Sequence, residues 1–228
     1  MQSPVKSGKY ATEIRQAELI DAAIHLAARR SPTSITTGDL AQAVGITQGA
    51  MFRHFDSKHA LWMAVLVWVR STLMQRLQEA ASQAVDGAES VPDTTVRQTE
   101  SVNPLAALRA VFMAHVEFVV MYPGVPRIIF QELQQAQDST LLVEVRRLMQ
   151  QYRALLMQLL EQAKASQLIA TNTDTTSASV LFIGSIQGLV MQSLMSGDVA
   201  AMRQQAPAVY ALYQRGLQAT THSTQGTP

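Results

Sequence analysis

Residues 36–55 read TTGDLAQAVGITQGAMFRHF, and no other segment limits the possible folds of the chain as strongly. Gly45 follows the small Ala41 by four residues, between two short runs of helix-forming side chains. Two short helices crossing at a steep angle need such a pair. The small side chain lets the second helix pass over the first, and the glycine tolerates a left-handed backbone in the turn. Leu40, Val44, Ile46, Met51, Phe52 and Phe55 supply apolar positions that anchor both helices to a third. Thr37 is placed to cap the first short helix and Thr47 the second. The second helix opens on Thr47, Gln48, Gly49 and Ala50, all polar or small. A backbone this bare can approach base edges closely, and a glutamine carboxamide pairs with adenine. The segment therefore predicts a helix-turn-helix.

The remainder of the chain reads as helical throughout. Ala, Leu, Gln, Met and Arg dominate, and apolar residues recur at steps of three and four with no alternating stretch. A first helix is expected over residues 12–29, burying Leu19, Ile20, Ala23, Leu26 and Ala27. Short helices over 38–44 and 47–55 follow, then a long one over 58–85. Residues 86–103 contain Gly87, Pro92 and several Ser and Thr, the composition of a linker. Asn103-Pro104 caps a helix that ends at Pro123-Gly124. Pro126 opens the next, to about residue 137, and a long amphipathic helix runs from about 138 to 167. Asp174 begins a helix that Gly197 ends, and the last includes 207–218. The expected organisation is all-α. Residues 10–57 are expected to form a three-helix helix-turn-helix domain, 58–220 a helical body, and 221–228 a flexible tail.

Charge and composition narrow the function classes. The 228 residues carry a net charge of +1 and no cysteine, which excludes disulfides, thiolate chemistry and cysteine-based zinc sites. Residues 1–70 hold eight basic and five acidic side chains, so a basic front precedes a mildly acidic body, as an anionic partner would favour. The first ten residues have no apolar core, unlike a signal peptide, so a cytoplasmic location and no membrane partner are expected. His115 and Glu117 lie two apart on a helix and do not share a face, so no metal site is expected, nor any cofactor. No phosphate-cradling glycine loop or recognisable nucleophile arrangement is present, so the chain is not read as an enzyme.

With the flanking residues added, the segment resembles the TetR family of bacterial transcriptional regulators. The resemblance spans residues 15–61. It rests on Arg15, Leu19-Ile20, Ala22-Ala23, Thr36-Thr37, Leu40-Ala41, Gly45, Thr47, Gly49, Phe52, His54-Phe55, Ser57-Lys58 and Leu61. It departs at Phe52, where the family usually has a tyrosine whose hydroxyl reaches a phosphate. It departs again at Arg30-Ser31-Pro32, where a glycine is common. The resemblance implies DNA contacts from Thr47, Gln48, Gly49 and Ala50, and a phosphate facing the helix start at Thr37. A cation at a helix N-terminus is disfavoured by the dipole, so Lys58 reads as holding an anion there. Arg53 reads as exposed and available to DNA, and His54 as either a packed aromatic or a phosphate donor.

In the body, the match is one of architecture, which implies dimerisation and a ligand pocket. The expected pocket residues are Met113, Glu117, Met121, Phe130, Met149, Tyr152 and Met157. Methionine-rich interiors remould around varied apolar ligands, and so few charges favour an apolar ligand. The expected dimer contacts are Val180, Ile183, Gly184, Gly188, Met191 and Tyr210, because Gly184 and Gly188 are spaced for close helix approach. The function expected is a homodimeric repressor of a palindromic operator, released by a small apolar ligand. Two rivals are a ligand-independent DNA-binding regulator or activator and, in another class, a helical carrier or enzyme with a vestigial front domain.

Overall fold

The computed structural model describes residues 5–84, 103–134 and 139–218, and these contain helices, turns and no strand. The expected linker at 86–102 and tail at 221–228 lie outside them. Among the described residues, nine α-helices follow in order: α1 Val5–Arg29, α2 Thr37–Ala43, α3 Gln48–Met51, α4 Lys58–Gln83, α5 Pro104–Met121, α6 Gly124–Leu133, α7 Thr140–Ala165, α8 Thr175–Ser196 and α9 Met202–Leu217. Contacts divide the chain into two compact units. One is Met1–Thr72 with Met121–Met149, and the other is Leu73–Val120 with Gln150–Pro228. A linear cut at 57/58 differs from this division, because α6 and the start of α7 group with the first helices.

In the first unit, α1 is the central element. Leu19, Ala23, Ile24 and Ala27 are buried along it, together with Leu40, Ala41, Met51 and Phe55 from α2, α3 and the turn that follows. Ile20 and Leu26, expected in the core, are only half-buried. Phe52, expected as an anchor, is 44% exposed. It caps the C-terminal end of a helix only four residues long, so its side chain escapes the packed face. The polar side chains of α1 also contribute. Arg15 donates to the Val44 carbonyl at 3.1 Å, and Gln16 donates to the His54 carbonyl at 2.8 Å. Helix ends leave such carbonyls without internal partners, so α1 closes off the ends of both short helices.

Gly124 sits at the start of α6 for a steric reason. A Cβ placed there would lie 2.0 Å from the Ile24 carbonyl oxygen and 2.9 Å from the Ala28 nitrogen, both backbone atoms of α1. Only a residue without a side chain allows that approach. On α4 and α7, Arg70 pairs with Glu144, which is 3% exposed, and Arg147 pairs with the same carboxylate at 3.3 Å. His59 and Thr140 are joined at 2.8 Å, and Trp68 meets the Tyr122 ring edge-on at 5.0 Å.

The second unit has an aromatic core. Phe112, Phe118, Tyr152 and Phe182 are fully buried, with Tyr210 and Tyr213 nearly so. Asn103 caps α5, accepting from the Leu105 and Ala106 N–H groups at 2.9 and 3.4 Å. Asp174 caps α8, and Gly197 ends it at φ 75°, the left-handed C-terminal stop expected there. The last helix, expected to include 207–218, runs from Met202 with Pro207 inside it. By length and composition alone, α5 and α8 pass for membrane spans. Half of the α5 window and 44% of the α8 window are nevertheless buried in the fold, as in core helices of globular proteins.

Gly124→Ala should drive α6 away from α1 and destabilise the first unit by about 1–3 kcal/mol, the usual range for overpacking. Urea unfolding followed by tryptophan emission measures it. An unchanged midpoint would mean that the two backbones separate without cost.

Candidate nucleic-acid interface

The interface is built from its turn outward. Gly45 stands at φ 68°. Its N–H donates to the Gln42 carbonyl at 3.1 Å, and the next N–H, of Ile46, reaches back to the Ala41 carbonyl at 2.9 Å. This is the paired bonding of a Schellman stop, which a left-handed residue makes possible. Ala41 is 2% exposed, as required of the small residue beneath the crossing helix.

The cap of α2 is shifted by one residue from expectation. Thr36, not Thr37, is the N-cap. Its hydroxyl accepts from the Asp39 N–H at 3.1 Å, and the Asp39 carboxylate accepts from the Thr36 N–H at 2.7 Å. This reciprocal pair is a capping box, and the aspartate three residues on decides which threonine closes it. These bonds from Thr36, with the Arg30 guanidinium 3.0 Å away, hold the Asp39 carboxyl down from 3.8 to about 2. Thr37 is thereby released from capping. Its hydroxyl accepts from Gln48 Nε2 at 2.6 Å, so the first residue of α2 holds the side chain of the first residue of α3.

Thr47 caps α3, accepting from the Ala50 N–H at 3.2 Å. Thr47, Gln48 and Gly49 are exposed and Ala50 half-exposed. A Cβ on Gly49 would meet nothing within 4 Å in the chain. Arg53 is exposed beyond them. His54 is half-buried, and its Nδ1 is sealed with no hydrogen-bond partner among the described residues. Lys58 opens α4 half-buried, with Nζ 3.5 Å from the Thr33 carbonyl. Thr37, Thr47, Gln48, Gly49, Ala50, Arg53, His54 and Lys58 thus all belong to α2, α3, the turn after it and the start of α4.

The expected pocket residues divide between the units. Met121, Phe130 and Met149 fall in the first, and Met113, Glu117, Tyr152 and Met157 in the second. Met121 is exposed, and Phe130 and Met149 are half-buried. Glu117 is taken by a two-pronged pair with Arg203 at 2.5 and 2.7 Å, which lowers its carboxyl's pKa and removes it from any apolar lining. Tyr152 is fully buried, and Met113 and Met157 are half-buried. Periodicity missed the neighbours of Tyr152: His115, Phe182 and Tyr213 reach it from three other helices. Of the expected dimer residues, Val180, Gly184, Gly188 and Met191 lie on one exposed stripe of α8. Ile183 and Tyr210 do not. Ile183 points into the core of its own chain, and Tyr210 is 1% exposed with its hydroxyl donating to the Leu105 carbonyl at 3.0 Å. Among the described residues, no group of three or more His, Asp or Glu is placed to hold a metal.

Two short capped helices set by a left-handed turn, with a bare exposed second helix, define a helix-turn-helix DNA-binding protein. Residues 19–65 match bacterial regulatory proteins of the tetR family, and residues 131–209 match the tetracyclin repressor-like C-terminal domain. The chain belongs to the TetR family and is a DNA-binding transcriptional regulator. It is 22% identical to the nucleoid occlusion factor SlmA of Vibrio vulnificus, over 76% of this chain and 81% of that protein. The fatty acid degradation regulator FadR of Bacillus halodurans superposes with a TM-score of 0.71 at 16% identity, covering 96% of this chain and 98% of that one. FadR of Bacillus subtilis, solved in complex with stearoyl-CoA, gives 0.71 at 16% identity, over 88% and 98%.

The capping box carries a pH signature. Since the folded Asp39 carboxyl lies below its unfolded value, its contribution is present above pH ~4 and is lost as pH falls through about 2. Asp39→Asn should melt below the parent at pH 6, and the difference should shrink as pH drops towards 2. Thermal melts across that range test this, and a gap that stays constant with pH would remove the carboxylate from the account.

Proposed function

We propose that the protein is a homodimeric, cytoplasmic repressor that binds a palindromic operator and is released by a small apolar ligand. The observation that carries the DNA half of this reading is the opening of α3. Gln48 is exposed yet held by Thr37, and Gly49 has open space where a side chain would stand. Among the described residues nothing requires a glycine there, whereas a bare backbone lets a base edge or phosphate come close to α3. A carboxamide fixed at one end by a neighbouring hydroxyl is pre-organised, which lowers the entropy lost on contact. Arg53, His54 and Lys58 flank the opening and serve as phosphate partners, which set register without reading sequence.

The dimer half is supported by α8 and α9. Val180, Leu181, Met191, Met195 and Leu212 are all exposed large apolar side chains, and Met195 is 74% exposed. Gly184 and Gly188 lie on the same face of α8, and neither has an atom of its own chain within 4 Å of a would-be Cβ. A contiguous apolar stripe with small residues at its centre suits close packing against a second copy. Two recognition helices ~34 Å apart, or a multiple of that, then enter successive major grooves. A ligand that prefers a dimer with another spacing weakens operator binding by its differential affinity for the two states, typically ~1–3 kcal/mol. The stearoyl-CoA bound by the Bacillus subtilis relative supports a ligand with a large apolar body.

Two experiments test the halves separately. Gln48→Ala should cost ~1–3 kcal/mol on the operator and relax the preference at one base pair per half-site. Lys58→Ala should weaken specific and random DNA alike and flatten the salt slope by about one unit. Titrations at several salt concentrations distinguish them, and identical profiles for the two variants would overturn the division between reading and anchoring. Gly188→Leu should leave the single chain folded and disfavour the dimer by about 1–3 kcal/mol. Analytical ultracentrifugation would then show monomer at micromolar protein, with a matching loss of operator affinity. A variant that stays dimeric moves the interface elsewhere.

A further inference from the structure

The second unit contains a set of polar side chains that neither the DNA-reading face nor the exposed α8 stripe uses. His115 on α5 and Tyr152 on α7 share a hydrogen bond, the hydroxyl 3.0 Å from Nδ1. Tyr213 on α9 is 3% exposed, and its sealed hydroxyl has no hydrogen-bond partner among the described residues. Burial pushes the Tyr152 phenol well up, and Tyr213 adds to the shift. Phe182 walls the same region, edge-on to Tyr152 at 6.3 Å, to Tyr213 at 5.4 Å and to Phe112 at 5.2 Å.

Two observations show that this region can receive a ligand. A buried hydroxyl without a partner costs ~1–3 kcal/mol, and a phenylalanine at 213 would avoid that cost, so an unmade bond is being held ready. In addition, burial drives the His115 imidazole down to about 4, yet the residue keeps accessible surface where its neighbours Phe112, Phe118 and Tyr152 keep none. The cluster is therefore sealed at Tyr152 and Tyr213 and partly open at His115.

The chemistry of the occupant follows from the donors. His115, Tyr152 and Tyr213 carry no formal charge when His115 is neutral. The nearby Glu117 and Arg203 satisfy each other, and the Tyr210 hydroxyl is already used by the Leu105 carbonyl. A carboxylate or ammonium head would find no counter-charge among these three side chains, which is unfavourable in an apolar core. A carbonyl oxygen needs only the one donor that Tyr213 offers, and aromatic walls suit an apolar body.

We infer that His115, Tyr152 and Tyr213 form the polar end of an effector site, and that it takes a neutral ketone or ester carbonyl carried on an apolar body beside Phe112 and Phe182. The inference rests on the ligand-released repressor reading above and gives that ligand its polar group. Binding is by a hydrogen bond from the Tyr213 hydroxyl to the carbonyl oxygen, with the Tyr152–His115 pair fixing the opposite wall.

Three probes of one shape test it on the full chain: 4-phenylbutan-2-one, butylbenzene and sodium 4-phenylbutanoate. Affinities are measured by ligand-observed NMR for the parent and for Tyr213→Phe, with melting curves for each protein alone. The parent should bind the ketone about tenfold more tightly than the hydrocarbon, as one good hydrogen bond provides, and the carboxylate least. Tyr213→Phe should melt no lower than the parent and should bind ketone and hydrocarbon alike. A parent that does not distinguish ketone from hydrocarbon, one that prefers the carboxylate, or one that binds none of the three overturns the inference. So does a clear loss of melting temperature in Tyr213→Phe, which would give the hydroxyl to the fold. Operator titrations with the same probes keep the two readings apart. If the ketone preference holds but no probe alters operator affinity, the release mechanism fails and the site stands. If butylbenzene releases operator from the parent and from Tyr213→Phe equally, the release mechanism stands and the polar handle fails.

Discussion

A helix of four residues has almost no stability of its own, because nucleation fixes several dihedral angles before propagation returns anything. α3 is such a helix, so its position must come from outside it. α1 supplies much of that support. Its apolar stripe gives α2 and α3 a surface to bury Leu40, Met51 and Phe55 against, and Arg15 and Gln16 satisfy carbonyls at the ends of both. The caps at Thr36 and Thr47 close the other ends. The exposed opening of α3 is therefore a short stretch of backbone whose orientation is set by α1, a helix of 25 residues against its four.

The same logic of outside support recurs in the rest of the first unit. Glu144 is a buried carboxylate that is tolerable only because Arg70 and Arg147 both reach it. Removing one partner of such a pair leaves a charge in an apolar setting, which costs more than the pair contributed. α4 and α7 are thus held in register by a polar contact whose value is specificity of placement more than net stability. Gly124 makes the complementary contact, backbone against backbone, where α6 crosses α1.

How much of this was legible in the sequence depends on how local the signal was. The turn at Gly45, the small Ala41, the caps at Thr47, Asn103 and Asp174 and the stop at Gly197 are all decided within a few residues, and each was readable. Thr36 and Thr37 offered two adjacent caps, and the choice turned on Asp39 three residues later, which makes a capping box only with Thr36. Phe52 was read as core because helical spacing was extended past Met51, where the helix in fact ends. The spacing of Gly184 and Gly188 on a helix apolar nearly all round points to an interface, but period alone cannot say which side meets its own chain, and Ile183 turns inward. Of the His115–Tyr152–Tyr213 group, only Tyr152 is legible in the sequence. The group's members come from three helices, and only their packing brings the polar ends together.

The two tryptophans carry a practical consequence. Trp62 and Trp68 both lie in the first unit, one nearly sealed and the other set edge-on against Tyr122. The second unit holds its aromatic core in tyrosine and phenylalanine alone. Light absorbed near 295 nm therefore excites only the half of the chain that carries the recognition helix, while near 275 nm Tyr152, Tyr210 and Tyr213 contribute as well. The protein thus has a built-in optical label on the first unit, and excitation at the longer wavelength follows events in that unit alone without attaching a dye.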